Sequence, residues 1–186
     1  TQIGEILTVL EQRGKLANTV IAFTSDHGEL NGDFGCIYKG IFLDGCVRVP
    51  LIVRTPQTVG SSIAGSVCEA LAEWSDVGPT LAELAGNPIT HTQFARSMLP
   101  SLADPKEWYR EDALSEISGE VMLMTDRWKV AVNTQGDVYL LIDRHADPFE
   151  QNNLAGNALH TGTERALKDR ILKRLLESQV RHDVSR

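Results

Sequence analysis

Between Thr19 and Gly40 the chain reads TVIAFTSDHGELNGDFGCIYKG, a run of six apolar or β-branched residues followed by Ser25, Asp26, His27, Gly28 and Glu29 side by side. A carboxylate and an imidazole adjacent at a strand end are natural ligands for a divalent cation. Gly28 permits the backbone turn that lets the two side chains converge. Lys39 follows in a loop that also carries Gly32, Gly35 and Gly40. An ammonium beside a cation suits an anion gripped from two sides. Taken alone, Asp-His-Gly after a strand is more often a turn or a helix cap, and the spacing leaves both readings open.

The elements that must position these residues follow from periodicity. Ile3, Ile6, Leu7 and Leu10 fall on one helical face, and Gly14 stops that helix. Thr19–Thr24 reads as a strand buried on both faces, and Val49–Val53 as a second strand with Pro50 at its start or edge. In WSDVGPTLAELAG, Trp74, Val77, Leu81 and Leu84 share a helical face, Ser75 or Asp76 caps it and Gly86 ends it. This alternation predicts an α/β layer structure with helices over a mainly parallel sheet. Beyond about Pro100 the short runs DALSEI, EVMLMT, RWKVAVN and DVYLLID, split by SG, DR and QGD, predict an antiparallel meander. A polar loop, DRHADPFEQNNLAG, leads to a closing helix over Glu164–Val180 with Leu167, Ile171, Leu175 and Val180 on one side.

Composition narrows the function. With 25 acidic and 18 basic side chains the net charge is −7, which argues against a nucleic-acid partner. No apolar run approaches the ~18 residues of a membrane span. The first residues lack the basic and apolar regions of a signal peptide and resemble the middle of a helix, so the chain reads as soluble and short of its natural start. Compartment and oligomeric state are not encoded in these features. Three cysteines, Cys36, Cys46 and Cys68, have no metal or disulfide spacing, and at least two are expected to be small buried thiols. His91, His145, His160 and His182 read as surface histidines, and Trp74, Trp108 and Trp128 as packing residues. Asp143, Asp147 and Glu150 lack EF-hand spacing and read as a turn. Arg48 reads as an ion-pair or solvent residue, and Glu29 as either a turn cap or a neighbour of the cation.

Several segments, in this order, resemble the C-terminal portion of type I sulfatases of the alkaline phosphatase superfamily. The stretch SDHGELNGDFGCIYKG is similar to the family's SDHGE…GD…G…KG segment, and RVPLIVRTP to the strand that follows it. SDVGPTLAELAG resembles its PTL helix, and FARSMLPSL the segment after that helix. MTDRWKVAVN and LLIDRHADPFEQNNLA resemble two later motifs. The resemblance implies part of an alkaline phosphatase-like sandwich, mainly parallel sheet with helices, followed by a small antiparallel sheet with a C-terminal helix. It assigns residues 1–104 to the catalytic α/β domain and 105–186 to the C-terminal subdomain. By the same resemblance Asp26 and His27 are metal ligands, and Lys39 is the catalytic lysine that contacts the substrate's sulfate group. It further implies a divalent cation, Ca2+ first with Mg2+ or Mn2+ as alternatives, and a formylglycine nucleophile. In that family the hydrated aldehyde attacks sulfur, the metal draws charge from the sulfate oxygens, and an acid helps the alcohol leave. The implied partner is a small-molecule or saccharide sulfate ester.

Two departures qualify that reading. The formylglycine motif Cys/Ser-x-Pro-x-Arg is absent, since Cys36, Cys46 and Cys68 are followed by IYKG, VRVP and EALA. Asp33-Phe34-Gly35 stands where the family often has Asp-His-Gly, which places Phe34 at the pocket rim. The chain alone is therefore expected to be inactive, because two ligands hold a hard cation weakly and no nucleophile is present. Hydrolysis of phosphomonoesters, phosphodiesters or phosphonates by the same superfamily site is the alternative chemistry, and a non-catalytic binding module is the alternative class.

Overall fold

The computed structural model describes residues 1–91 and 93–178 of the chain. Helix α1 (Gln2–Gln12) has Thr1 as N-cap, its hydroxyl accepting the Gly4 N–H. Strand β1 (Ile21–Thr24) pairs with β2 (Leu51–Arg54), with Ile21 opposite Arg54 and Thr24 opposite Leu51. Between them lies a loop and the single-turn helix α2 (Asp44–Val47). The pair is antiparallel, whereas a mainly parallel sheet was expected. The connection, residues 25–50, is long enough for a crossover but doubles back through a loop and the single-turn α2, which makes the pair antiparallel. Nor is β1 buried on both faces, since Phe23 is 42% exposed and Ile52 of β2 is 62% exposed. Among the described residues no layer covers these side chains, and Ile3 and Ile6 of α1 are likewise exposed.

Helix α3 (Val77–Leu84) follows a 3-10 turn at Trp74–Asp76, and the short α4 (Leu99–Ala103) packs near it. The meander is the best-packed part of the molecule. Strands β3 (Asp112–Ile117), β4 (Glu120–Thr125), β5 (Trp128–Val132) and β6 (Val138–Asp143) pair antiparallel in sequence order. Ser118 and Gly119, both at positive φ, make the two-residue turn whose twist suits a hairpin.

The apolar run of β4 has a simple cause: both faces of the sheet are covered. Val121 and Leu123 face Val130, Leu141 and the helix α5 (Thr161–Ser178), whose Leu167 and Ile171 close that core. Met122 and Met124 face the other way, onto Phe42 and Ala131. Leu175 is partly buried against the first cluster as expected. Val180 and His182 lie outside the described residues. Of the cysteines only Cys46 is buried, because Cys36 and Cys68 sit in exposed loops. Trp128 packs on the core, but Trp74 and Trp108 are 60% and 44% exposed, contrary to their expected packing role. His160 stands edge-on to the Trp128 ring at 5.6 Å rather than free on the surface.

Candidate functional site

Strand β1 ends at Thr24, and the next residues fold tightly on themselves. The Ser25 hydroxyl donates to the His27 carbonyl at 2.7 Å, and the His27 N–H donates to Asp26 Oδ1 at 3.0 Å. The Gly28 N–H then donates to the Cys46 carbonyl at 2.8 Å. A Cβ at Gly28 would lie 1.9 Å from the Gly45 carbonyl oxygen. Gly28 is therefore required by the close approach of two backbones, and its φ is not in the left-handed region that a permissive turn would use.

This packing orients the imidazole. His27 Nδ1 is 2.9 Å from the Gly28 carbonyl, which can only accept, so Nδ1 carries the proton and Nε2 the lone pair. The Lys39 ammonium donates to that lone pair, and Asp26 Oδ2 lies 3.5 Å from the same nitrogen. Asp26, His27 and Lys39, the three residues singled out in the sequence, thus meet at the end of β1. The Asp26 side chain is 76% exposed and that of His27 40%. Among the described residues no group of three or more His, Cys, Asp or Glu side chains converges as a metal cage. Asp26 and His27 fit a divalent cation by donor type, as two ligands of a larger set.

The loop that carries Lys39 is held in uncommon backbone conformations. Asn31, Phe34 and Tyr38 have φ of 54°, 56° and 70°, values that cost side-chain-bearing residues and recur at functional sites. Buried Leu30 anchors it, and its N–H donates to the Tyr38 carbonyl at 3.1 Å. Glu29 accepts from the Asn31 N–H at 3.5 Å and so serves the turn. Phe34 is 48% exposed. Arg48 pairs with Asp44 at 3.7 Å on the surface.

Two buried charge clusters were not anticipated. Asp76, fully buried, accepts from Arg110 Nε at 2.7 Å and Nη2 at 2.5 Å, the Arg96 and Glu73 N–H groups, and the Tyr109 hydroxyl at 2.9 Å. Burial pushes its pKa up, but the Arg110 hydrogen bonds, with those of the two amides, win and hold it below the ordinary carboxylate value. Burial first, then the Asp76 charge and hydrogen bond, push the Tyr109 phenol up. Glu73 accepts from Arg110 at 3.0 Å and from Arg174 at 2.6 Å, which ties the turn before α3 to β3 and α5.

The second cluster centres on Lys129 of β5, which is fully buried and donates to both Asp44 and Glu150. The only sequence signal for it was a lysine flanked by Trp128 and Val130 in an apolar strand. Glu150, read as a turn residue, is itself buried. A cavity of about 670 Å³ beside Trp108, Arg170 and Arg174 has none of Asp26, His27 or Lys39 in its lining.

Residues 1–87 match the family model described as Sulfatase. An N-acetylglucosamine-6-O-sulfatase of Bacteroides thetaiotaomicron is 31% identical over 94% of this chain and 32% of its own length. The chain belongs to the sulfatase family. It spans about a third of the length of the curated relatives it matches. A structure solved with its substrate D-glucosamine-2-N,6-O-disulfate superposes with a TM-score of 0.81 at 27% identity, over 96% of this chain and 39% of that one. The phosphonate monoester hydrolase of Agrobacterium radiobacter gives the same TM-score, identity and coverage. These likenesses establish the fold class, a mixed α/β sulfatase fold with its antiparallel sheet and C-terminal helix. No helix among the described residues is long and apolar enough to cross a membrane.

Proposed function

We propose that this chain is the part of a sulfatase that supplies the strand-end half of its active site, for hydrolysis of a sulfate ester, in particular that of a saccharide. One observation carries the reading: the Asp26 carboxylate, the His27 Nε2 lone pair and the Lys39 ammonium meet beyond the end of one strand. Asp26 and His27 would be two ligands of a divalent cation, calcium by preference, which supplies neutralisation of charge on the oxygens of the transferring group. His27 presents Nε2 because Gly28 holds the Nδ1 proton. Lys39 is the substrate-contacting, catalytic lysine. Once the Nε2 lone pair is engaged elsewhere, its ammonium turns to the anionic oxygens of the ester. The attacking group, a formylglycine on this reading, comes from residues outside these 186.

Superposition on a phosphonate monoester hydrolase as close as that on a sulfatase favours phosphoryl or phosphonyl ester hydrolysis as the second reading. The deciding experiment takes the protein as its source cell makes it. Its intact mass and N-terminal sequence are determined, and its turnover of an aryl sulfate is compared with that of an aryl phosphonate. A longer product with a formylglycine mass deficit and a preference for sulfate supports the proposal. His27→Gln and Lys39→Met should then each lower turnover by about 100-fold or more. Preference for the phosphonate, or full activity in both variants, overturns it.

A further inference from the structure

Lys129 is a fully buried cation on the sheet face that packs against Phe42 and Val47, and its partners lead to the site. Its ammonium donates to Asp44 Oδ1 and Glu150 Oε1. The other Glu150 oxygen accepts the Asp44 backbone N–H at 2.7 Å, an amide at the start of α2 with no acceptor within the helix. Lys129 and Glu150 thereby grip the first residue of α2 by side chain and backbone together. The next two residues are those that touch the site: the Gly45 carbonyl abuts Gly28 Cα, and the Cys46 carbonyl accepts the Gly28 N–H. Gly28 in turn holds the Nδ1 proton of His27. Close by, Phe42 is buried against Met122 and Met124, which fixes the loop just after Lys39 to the same sheet.

We propose that Lys129, with Glu150, is a positioning residue that sets the ring orientation and tautomer of His27 through Asp44, Gly45, Cys46 and Gly28. The proposal deepens the sulfatase reading and rests on it for its functional meaning, but the mechanical chain stands on the contacts alone. The meander of β3–β6 then acts as the bench on which the strand-end groups are aligned. Lys129 touches no substrate. Removing its charge leaves the buried Glu150 carboxylate without a cation and facing Asp44, which keeps only the exposed Arg48 at 3.7 Å, so α2 swings away and Gly28 loses its acceptor.

The test labels the histidine rings of the full chain with 15N and assigns His27 by its absence in His27→Gln. At a pH where the imidazole is neutral, a ring locked with the proton on Nδ1 shows two widely separated nitrogen resonances. Lys129→Met and Glu150→Gln should each narrow that separation as the second tautomer is populated, the first more than the second. Val130→Ala, on the opposite face of the same strand, is the control: it weakens the core but should leave the His27 pair in place. Glu150→Gln keeps an acceptor for the Asp44 N–H and serves if Lys129→Met does not fold. Unchanged His27 resonances in a folded Lys129→Met or Glu150→Gln chain overturn the proposal, as does an equal shift in Val130→Ala. Because the readout is the ring itself, it stands whether the protein hydrolyses sulfate or phosphonate.

Discussion

Replacing Arg110 by Met removes the cation that faces a fully buried carboxylate. Arg110 and Asp76 are both essentially unexposed, and the two Asp76 oxygens receive the Nε and Nη2 donors of the guanidinium. Glu73 keeps Arg174 when Arg110 is gone, so the stranded charge is that of Asp76. Breaking a buried pair from one side costs about 3–5 kcal/mol. Three neutral donors remain on Asp76, from Glu73, Arg96 and Tyr109, which favours the lower part of that range, about 3–4 kcal/mol. The corresponding fall in Tm is about 6–16 °C for a chain of this size. Arg174→Met should cost only about 1–2 kcal/mol, because Glu73 retains Arg110 and Asp112 retains Arg170.

The pH dependence has a definite sign. In the native chain the Asp76 pKa lies below its unfolded value, so its stabilisation is present above about pH 3.9 and is lost as pH falls below that. In Arg110→Met, burial without the cation raises the Asp76 pKa, and acid relieves the variant. The gap between the two proteins should therefore narrow from pH 7 to pH 4. Urea titrations followed by tryptophan fluorescence at both pH values measure it. A loss below about 1 kcal/mol at pH 7, or a gap that stays constant with pH, would show that Arg110 does not neutralise a buried charge.

Three further outcomes are expected. Gly28→Ala places a Cβ against the Gly45 carbonyl, and the forced backbone shift should cost about 1–3 kcal/mol in urea stability and disturb the His27 ring signals. Leu123→Ala empties the centre of the core shared by β4, β5, β6 and α5 and should cost about 2–5 kcal/mol by the same titration, with the far-UV spectrum of the folded chain unchanged. The 186-residue chain alone should give no turnover of an aryl sulfate with calcium present; sustained release of the phenol above the uncatalysed rate contradicts the assignment of the nucleophile to other residues.

The sequence made those parts legible whose causes are local. The β3–β6 meander was readable because each of its breaks lies between two short apolar runs, and α1 because its apolar positions repeat at helical spacing. Asp26, His27 and Lys39 were readable as residue types at a strand end and along a glycine-bearing loop. What stayed hidden depends on chain segments far apart. The need for Gly28 comes from the Gly45 carbonyl laid against it, and no local pattern reports such a contact. Asp76 reads as a cap and does form a capping box with Glu73, but that the same carboxylate also takes the guanidinium of Arg110 depends on a residue 34 positions away. Glu150 reads as a turn residue, and its burial against Lys129 depends on a side chain 21 residues earlier in the chain. The antiparallel sense of β1 and β2 was hidden likewise, since it depends on how the loop between them returns.

The grip of Lys129 and Glu150 on Asp44 also sets an order of events during synthesis. Asp44 is bonded to partners 85 and 106 residues later in the chain. At about 5–20 residues per second the ribosome delivers Glu150 roughly 6–22 s after Lys39 has been made. Until Lys129 is made α2 has neither clamp, and until Glu150 follows it has only one, so on the positioning proposal Gly28 lacks a fixed acceptor for that interval. The nascent chain thus carries Asp26, His27 and Lys39 well before the segment whose Lys129 and Glu150 hold Asp44 has been made.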